Sequence, residues 1–191
     1  DVRLVHVDAG DDKAFAGWEK WADVIIFQGH ALEVFSSLRS STKHLIADIY
    51  DPMHLEQLEQ ARHLPPAQWD KQVSDATDTI QHQLEVGDYF LCASERQRHF
   101  YLGQLTTLRR VNPGVYGDDP HLEKLIGVVP FGLPDTPPSH TKKVLKGVVP
   151  RITKDDSVVV WSGGIYDWFD PLTLIQAVAQ LSQSRPSVKL F

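Results

Sequence analysis

The 191-residue chain has few of the features that mark secreted, membrane-spanning or nucleic-acid-binding proteins. Cys92 is its single cysteine, so no disulfide can form within the chain and a reducing compartment is the simpler setting. No apolar run approaches the roughly 18 residues of a membrane span, and the first residues do not form a signal peptide. Nucleic-acid surfaces need clustered cations, whereas this chain has a formal net charge of -6 and no Lys/Arg block. We therefore expect a soluble, cytoplasmic protein that does not bind nucleic acid.

Several catalytic signatures are also missing. The histidines show no metal-ligand spacing, and no Gly-x-Ser-x-Gly elbow surrounds Ser94. The first strand-like segment is not followed by a glycine-rich phosphate loop. The sequence therefore predicts no metal site, and it predicts that Ser94 caps a helix rather than acting as a nucleophile.

What the sequence does contain is a regular alternation of strand-like and helix-like segments. Strands are predicted at residues 2–7, 23–29, 43–50, 88–93 and 125–132, with helices between them, the longest at 66–86, and a loop at 111–120. The strand at 23–29 is continuous in its apolar character, which is typical of a strand covered on both faces by helices. The sequence predicts an α/β fold with a Rossmann-like parallel sheet and flanking helices.

The composition changes after Gly132 and divides the chain into three predicted segments. Residues 1–132 read as a Rossmann-like domain, and residues 133–156, rich in Pro, Lys, Thr and Ser, read as a linker. Residues 157–191 restart the pattern with one strand, one helix and a further strand. Three elements cannot bury both faces of a sheet, so we expect a second, truncated Rossmann-like domain and a chain that is a fragment.

A glycine pair, Gly163 and Gly164, ends the strand that opens this second domain. Ligands of parallel sheets bind at the carboxyl ends of strands, where glycine lets backbone N–H groups approach a phosphate and a helix start adds partial positive charge. Asp170 and Pro171 are the expected N-cap and first residue of that helix. A tight strand-to-helix turn without a ligand explains the same residues, and a glycine pair alone does not decide between the two.

Polar residues also follow the predicted strands of the first domain. The candidate cleft residues are Gln28, Gly29, His30, Asp48, Tyr50, Asp51, Ser94, Glu95 and Gly132. Among them, His30, Asp48 and Asp51 are the catalytic candidates, because a histidine there could orient a hydroxyl or carry a proton. The alternatives are a solvent-facing helix start for His30 and a helix cap before Pro52 for Asp51. A buried carboxylate is costly when unpaired, so Asp48 is expected to have a partner or to face the cleft.

Five stretches resemble one enzyme family in their order along the chain. They are DVIIFQG, HLIADIYDPMHLE, DYFLCASERQRHFYLG, IGVVPFGLPD and the segment from SVVVWSGG to SVKLF. Together they resemble the group 1 (family 4-like) nucleotide-sugar glycosyltransferases of the GT-B fold, over about residues 23–191. In that family a strand ending in Ser-Glu precedes a helix, a "vvPfG" strand closes the first domain, and a strand with a glycine turn opens the second.

The resemblance implies transfer of a sugar, with retention, from a nucleotide-diphospho-sugar to the hydroxyl of a glycan, a lipid-linked or a small-molecule acceptor. It implies no cofactor and no metal ion, which agrees with the lack of an Asp-x-Asp triplet. It implies that residues 1–132 are the C-terminal part of the acceptor-side domain and that residues 157–191 are the incomplete start of the donor-side domain. It makes Gly163, Gly164, Tyr166, Asp167 and Trp168 candidates for donor binding. It also implies a role in bacterial glycan biosynthesis, in the cytoplasm or, through peripheral contact, at the inner face of the membrane.

The chain departs from this family in the donor loop. Many members carry an Arg and a later Lys that hold the diphosphate, whereas GGIYDWFDP has neither, and the Glu-x7-Glu donor motif is absent. We expect the fragment by itself to be catalytically inactive. The competing hypothesis is a non-catalytic Rossmann-like domain that binds a small ligand or a partner protein.

Overall fold

The computed structural model describes residues 2–166 and 169–191. The chain forms two compact units, Asp1–Gly132 and Leu133–Phe191. The boundary falls where the composition changes, and residues 133–156, which the sequence suggests are a linker, group with the second unit.

The first unit is a parallel sheet flanked by helices, so the predicted α/β class is confirmed, and the arrangement is compatible with a Rossmann-like fold. Its strands are β1 Val24–Gln28, β2 His44–Asp48, β3 Tyr89–Cys92 and β4 Ile126–Val128, all parallel and adjacent in that order. Its helices are α1 Asp12–Trp21, α2 Ala31–Val34, α3 Met53–Gln60, α4 Pro66–Val86, α5 Glu95–Thr107 and α6 Pro113–Asp118, with a 3-10 turn at Ser36–Ser40.

The core lies between the central strands and the helices that cover them. Leu45 and Ala47 of β2, Phe90 of β3 and Ile126 of β4 are all buried. They pack with Ile80, Leu84, Tyr101 and Leu105 from α4 and α5. Burying apolar surface at about 25 cal/mol per Å² drives this packing. The parallel pairing of the strands brings their carboxyl ends to the same edge of the sheet.

Residues 2–7 do not form the predicted strand. Val2 and Leu4 are 92% and 93% exposed, and β1 pairs only with β2 among the residues described. The segment instead lies against α1, where the Arg3 guanidinium sits 4.9 Å from the centre of the Trp18 ring. Alternating apolar residues form a strand only where a neighbouring strand accepts their backbone hydrogen bonds.

The predicted loop at 111–120 contains the short helix α6, so that prediction was wrong. The Asn112 side chain accepts hydrogen bonds from the backbone N–H groups of Gly114 and Val115, at 3.0 and 3.1 Å. Pro113 occupies the first turn, where its missing N–H costs nothing. The two glycines had favoured a loop, but the cap and the proline start a helix in spite of them.

The second unit has its own sheet, in which β5 Ser157–Val159 and β6 Val188–Leu190 pair in parallel. Helix α7, Pro171–Ser184, connects them. The buried Asp156 carboxylate precedes β5 and accepts hydrogen bonds from the Thr153 N–H at 2.6 Å and its hydroxyl at 2.9 Å. These bonds lower the pKa of Asp156 and hold the turn that starts the strand.

Candidate functional site

The carboxyl ends of the first three strands lie side by side in the first unit. Gln28 is in register with Asp48, and Asp48 with Leu91. These ends and the segments that leave them carry most of the predicted site residues, namely Gln28, Gly29, His30, Asp48, Tyr50, Asp51, Ser94 and Glu95. Gly132 follows Phe131, whose ring meets the Tyr50 ring edge-on at 5.8 Å.

Two glutamines that sequence reasoning missed tie these segments together. Gln97 donates to the Tyr50 carbonyl at 2.6 Å and accepts from the Ala93 N–H at 2.7 Å, which joins the segments after β2 and β3. Gln83, buried on α4, donates to the Gly29 carbonyl at 2.5 Å. Ser94-x-x-Gln97 is a capping-box pattern, so the sequence did carry a signal for Gln97. No comparable signal marks Gln83.

Asp51 is not the helix cap that the sequence suggests. Helix α3 begins at Met53 with Pro52 as its N-cap residue and no side-chain cap. The backbone of Pro52 has ψ 60, outside the helical region, so the helix starts one residue later than expected. The Asp51 Oδ1 atom is buried and has no hydrogen-bond partner in the part of the chain that the structure describes.

A second carboxyl group and a buried phenol accompany Asp51. Tyr101 is fully buried, and its hydroxyl has no partner within residues 2–166 and 169–191. Burial, and then the charge of Asp51, raise the pKa of this phenol. Burial and the neighbouring Asp51 likewise raise the pKa of the Glu56 carboxyl. We call Asp51, Glu56 and Tyr101 the acid cluster. It combines acceptor oxygens with the Glu56 carboxyl, which retains its proton more readily than an ordinary glutamate does.

The pKa of Glu56 gives a testable pH dependence. A folded-state pKa above the ordinary value of 4.5 contributes stability at low pH that is lost as the pH rises through the folded pKa. Asp51→Asn removes the repulsion between the two carboxylates, so we expect the variant to unfold at higher urea than wild type at pH 7. The gain should stay under about 1 kcal/mol because Glu56 is partly solvated.

The pH profile separates charge from packing in this variant. Because its pKa is raised, Glu56 takes up its proton at a higher pH than an ordinary carboxyl does, and the repulsion is lost as the pH falls; the gain of Asp51→Asn should therefore be smaller at pH 4 than at pH 7. Asp70→Asn, which removes an exposed carboxylate from α4, serves as the control and should show no such gain. A gain of equal size at pH 4 and pH 7 would show that charge repulsion at Asp51 is not the cause.

His54 borders a separate small cavity between α3, α4 and α5. The cavity holds about 200 Å³ and is lined by His54, Thr77, Ile80, Gln81, Leu84, Gln104, Thr107 and Leu108. The His54 ring stacks on Phe100 with 5.6 Å between centroids. Burial lowers the pKa of His54, so the imidazole is neutral at pH 7. Its Nδ1 and the Gln104 Nε2 are buried without partners among the described residues.

The other catalytic candidates of the first unit have simpler surroundings. His30 is the N-cap residue of α2 without a side-chain cap, and its side chain is 66% exposed, which fits the alternative of a solvent-facing helix start. Asp48 is half-buried, and within the described residues its carboxylate has no hydrogen bond or ion pair. The Ser94 hydroxyl accepts from the Gln97 N–H at 3.3 Å, so its predicted capping role is confirmed.

The two glycines of the second unit differ in what an added side chain would contact. Gly163 is exposed, and a Cβ there would meet Trp161 at 3.5 Å and Phe169 at 3.6 Å, which is ordinary contact. A Cβ at Gly164 would overlap the Tyr166 ring, and that ring contacts Phe169 at 5.6 Å. A side chain at Gly164 would therefore require the exposed Tyr166 ring to move, whereas one at Gly163 would not. Asp167 and Trp168 lie outside the described residues.

Asp170 caps α7 as predicted. Its carboxylate accepts from the Thr173 N–H at 3.1 Å, and hydrogen bonds to Thr173 lower its pKa. The positive end of this helix thus already holds a carboxylate. An anion bound in this loop would have to use the backbone near Gly163 rather than the helix start.

Known proteins do not identify the chain. No protein family, curated protein or solved structure matches it. Within the described residues no group of three or more His, Cys, Asp or Glu side chains is placed to hold a metal ion. None of the helices described is both long and apolar enough to cross a membrane. A function must therefore be argued from the site geometry and from the family resemblance of the five stretches.

Proposed function

We propose that this chain is part of a GT-B glycosyltransferase that transfers a sugar from a nucleotide-diphospho-sugar to an acceptor hydroxyl without a metal ion. The observation that carries the proposal is the exposed backbone of Gly163 just beyond the carboxyl end of β5, in a unit whose parallel sheet is separate from the sheet of the first unit. Parallel sheets bind ligands at this position. The five stretches that resemble the family add support.

The donor diphosphate would lie against the second unit. Gly163 can accept close approach of an anion because it has no side chain, and its N–H is a preorganised donor for charge that develops on the leaving group. Tyr166 and Phe169 form a ring pair beside it. The described part of this loop has no Lys or Arg, so we expect binding of the nucleotide diphosphate without turnover.

The acceptor would lie at the carboxyl edge of the first unit. Tyr50 and Phe131 offer an edge-to-face ring pair whose side chains are 36% and 78% exposed. An exposed aromatic surface can pack against the C–H face of a sugar ring. The nearby acid cluster supplies carboxylate oxygens that accept hydrogen bonds from acceptor hydroxyls, and Glu56, when protonated, can also donate one.

Thermal unfolding with nucleoside diphosphates tests the donor site. We expect one of UDP, GDP, ADP and dTDP to raise the melting temperature of the 191-residue chain more than the others do. Binding to the folded state at 100 times Kd stabilises it by about 2.7 kcal/mol. Inorganic pyrophosphate at the same concentration controls for charge alone. An unchanged melting temperature with all four nucleotides contradicts the proposal.

Gly163→Ala tests the same site from the protein side. The added methyl group makes only ordinary contacts, so the fold and melting temperature should be preserved while the approach of a diphosphate is blocked. A hydrogen bond to a charged group contributes about 1.5–3 kcal/mol, so affinity for the selected nucleotide should fall about tenfold or more. Isothermal titration measures this change.

A matched glycine provides the control. Gly117→Ala in α6 adds a methyl group that meets nothing within 4 Å, so nucleotide affinity should remain at the wild-type value. Equal affinities for wild type, Gly163→Ala and Gly117→Ala would show that the diphosphate does not contact Gly163.

A second candidate function is a non-catalytic Rossmann-like binding domain. The packing of Tyr166 over Gly164 and the capping of α7 by Asp170 favour it, because they explain part of the loop without any ligand. If such a domain binds a partner protein, no nucleoside diphosphate should stabilise the chain.

A further inference from the structure

Basic residues are concentrated in one part of the second unit, although they do not form a continuous Lys/Arg run. Residues 136–154 contain four lysines and one arginine but no carboxylate, although the whole chain has a net charge of -6. We call residues 140–154 the basic turn. Its cations are Lys142, Lys143, Lys146, Arg151 and Lys154.

The basic turn has a defined backbone and an apolar surface. Leu145 accepts from the Val148 N–H at 3.1 Å, and the Gly147 N–H donates to the Ile152 carbonyl at 2.8 Å. Ile152 is buried and anchors the turn, whereas Val144 and Val148 are 61% and 58% exposed. Exposed valines flanked by cations form an amphipathic surface.

A cavity opens on this surface. It holds about 450 Å³ and is lined by His140, Lys143, Val144, Leu145, Lys146 and Lys154. The lining combines aliphatic side chains with three ammonium groups and one imidazole. Such a cavity suits a ligand that carries both negative charge and hydrocarbon.

The cations of the basic turn are not neutralised by the protein. Within residues 2–166 and 169–191, none of them forms an ion pair at 4.0 Å or less. Lys146 and Lys189 act on the Asp156 carboxylate from farther away, but that carboxylate is already held by Thr153. The ammonium groups are therefore available to an external anion.

We propose that the basic turn docks the second unit on an anionic lipid bilayer, with lipid phosphates at Lys143, Lys146 and Lys154 and with Val144 and Val148 entering the headgroup region. Clusters of four or more basic residues bind anionic lipid surfaces, and apolar side chains between them add insertion. The chemistry favours lipid over nucleic acid, because residues 133–156 contain no Trp, Tyr or Phe on which bases could stack. The proposal is independent of sugar transfer.

Flotation with lipid vesicles tests the proposal. The 191-residue chain should float with phosphatidylcholine vesicles containing 30% phosphatidylglycerol and remain unbound with pure phosphatidylcholine. Each basic residue near such a surface contributes about fivefold in affinity, so Lys143→Gln, Lys146→Gln and Lys154→Gln together should weaken binding about 100-fold. The same three positions changed to Arg should retain it, and circular dichroism checks that each variant is folded.

The matched control removes the same charge elsewhere. Lys13→Gln, Lys20→Gln and Lys71→Gln replace three exposed lysines of the first unit and should leave flotation unchanged. An equal loss in this control would overturn the proposal, since general charge would then explain the binding. Val144→Ser with Val148→Ser should reduce the binding that survives at about 0.5 M salt, because insertion is not screened.

Two further measurements distinguish the source of the anion. If inorganic phosphate at millimolar concentration stabilises the chain and vesicles do not bind, the cavity is a site for a free phosphate and the bilayer proposal is wrong. If single-stranded DNA binds more tightly than the vesicles and depends on the same three lysines, the surface is a nucleic-acid site and the proposal is equally overturned.

Discussion

Replacing Tyr101 with alanine is expected to destabilise the first unit by about 3–5 kcal/mol. Tyr101 is fully buried on α5 and belongs to the core cluster around Phe90, Leu105 and Ile126. Its ring also meets Phe100 edge-on at 5.1 Å. Truncation therefore loses the transfer free energy of a ring and leaves a cavity in the core. Urea denaturation followed by circular dichroism measures the change.

Tyr101→Phe is the variant that isolates the hydroxyl. Within the described residues that hydroxyl is buried without a partner, and an unsatisfied polar group costs about 1–3 kcal/mol. We therefore expect Tyr101→Phe to be as stable as wild type or more stable by about 1 kcal/mol. A loss of more than about 1 kcal/mol would contradict the assignment and show that the hydroxyl has a hydrogen-bond partner in solution.

The two Tyr101 variants also bear on the acid cluster. Burial, Asp51 and Glu56 all disfavour the phenolate, so the hydroxyl keeps its proton and is a potential hydrogen-bond donor. If Tyr101→Phe stabilises the chain, Asp51 and Glu56 do not depend on this donor in the unliganded protein.

Much of the fold of the first unit could be predicted because its signals are local. Helix α4 occupies Pro66–Val86, the predicted range, since its apolar residues repeat along one face over 21 residues. The strands predicted at 43–50 and 88–93 appear as β2 and β3, two or three residues shorter. Continuous apolar runs between helices specify a covered parallel strand without further information.

The wrong predictions have two causes. One depended on a partner distant in sequence, and the others depended on the balance of competing local signals. Residues 2–7 have strand-like alternation but no adjacent strand in the described sheet. Asp51 precedes a proline as an N-cap would, yet Pro52 has a non-helical ψ and itself occupies the cap position. Residues 111–120 contain two glycines that favour a loop, and the Asn112 cap overrides them.

The candidate site was predictable in outline only. Strand ends identified Asp48, Tyr50 and Asp51, because the carboxyl ends of parallel strands share one edge of the sheet. Glu56 and Tyr101 were not identified, since their approach to Asp51 depends on how α3 and α5 pack over the sheet. Neither residue belongs to a recognisable motif. A tyrosine on an apolar helix face is expected to be buried, and this pattern does not indicate a function.

Gly87→Ala is expected to destabilise the first unit by about 1–3 kcal/mol through overpacking. A Cβ at Gly87 would lie 2.7 Å from Cε1 of Phe90 and 3.0 Å from the Gln83 carbonyl oxygen. Phe90 is fully buried, and Arg110 donates to the Gly87 carbonyl at 2.6 Å while its guanidinium covers the Phe90 ring at 5.8 Å. The ring and the backbone therefore have little room to move apart, and urea denaturation should show the loss.

Gly103→Ala is the matched control for this steric argument. Gly87 has φ -64, which alanine adopts without strain, so only the contacts with the Phe90 ring and the Gln83 carbonyl oxygen oppose the methyl group. Gly103 lies inside α5, where a Cβ meets nothing within 4 Å, and alanine there should stabilise the helix by about 0.5–1 kcal/mol. The two substitutions should thus change the free energy of unfolding in opposite directions. A gain in both would mean that the core around Phe90 relaxes to admit a methyl group, and that close packing does not fix the junction between α4 and β3.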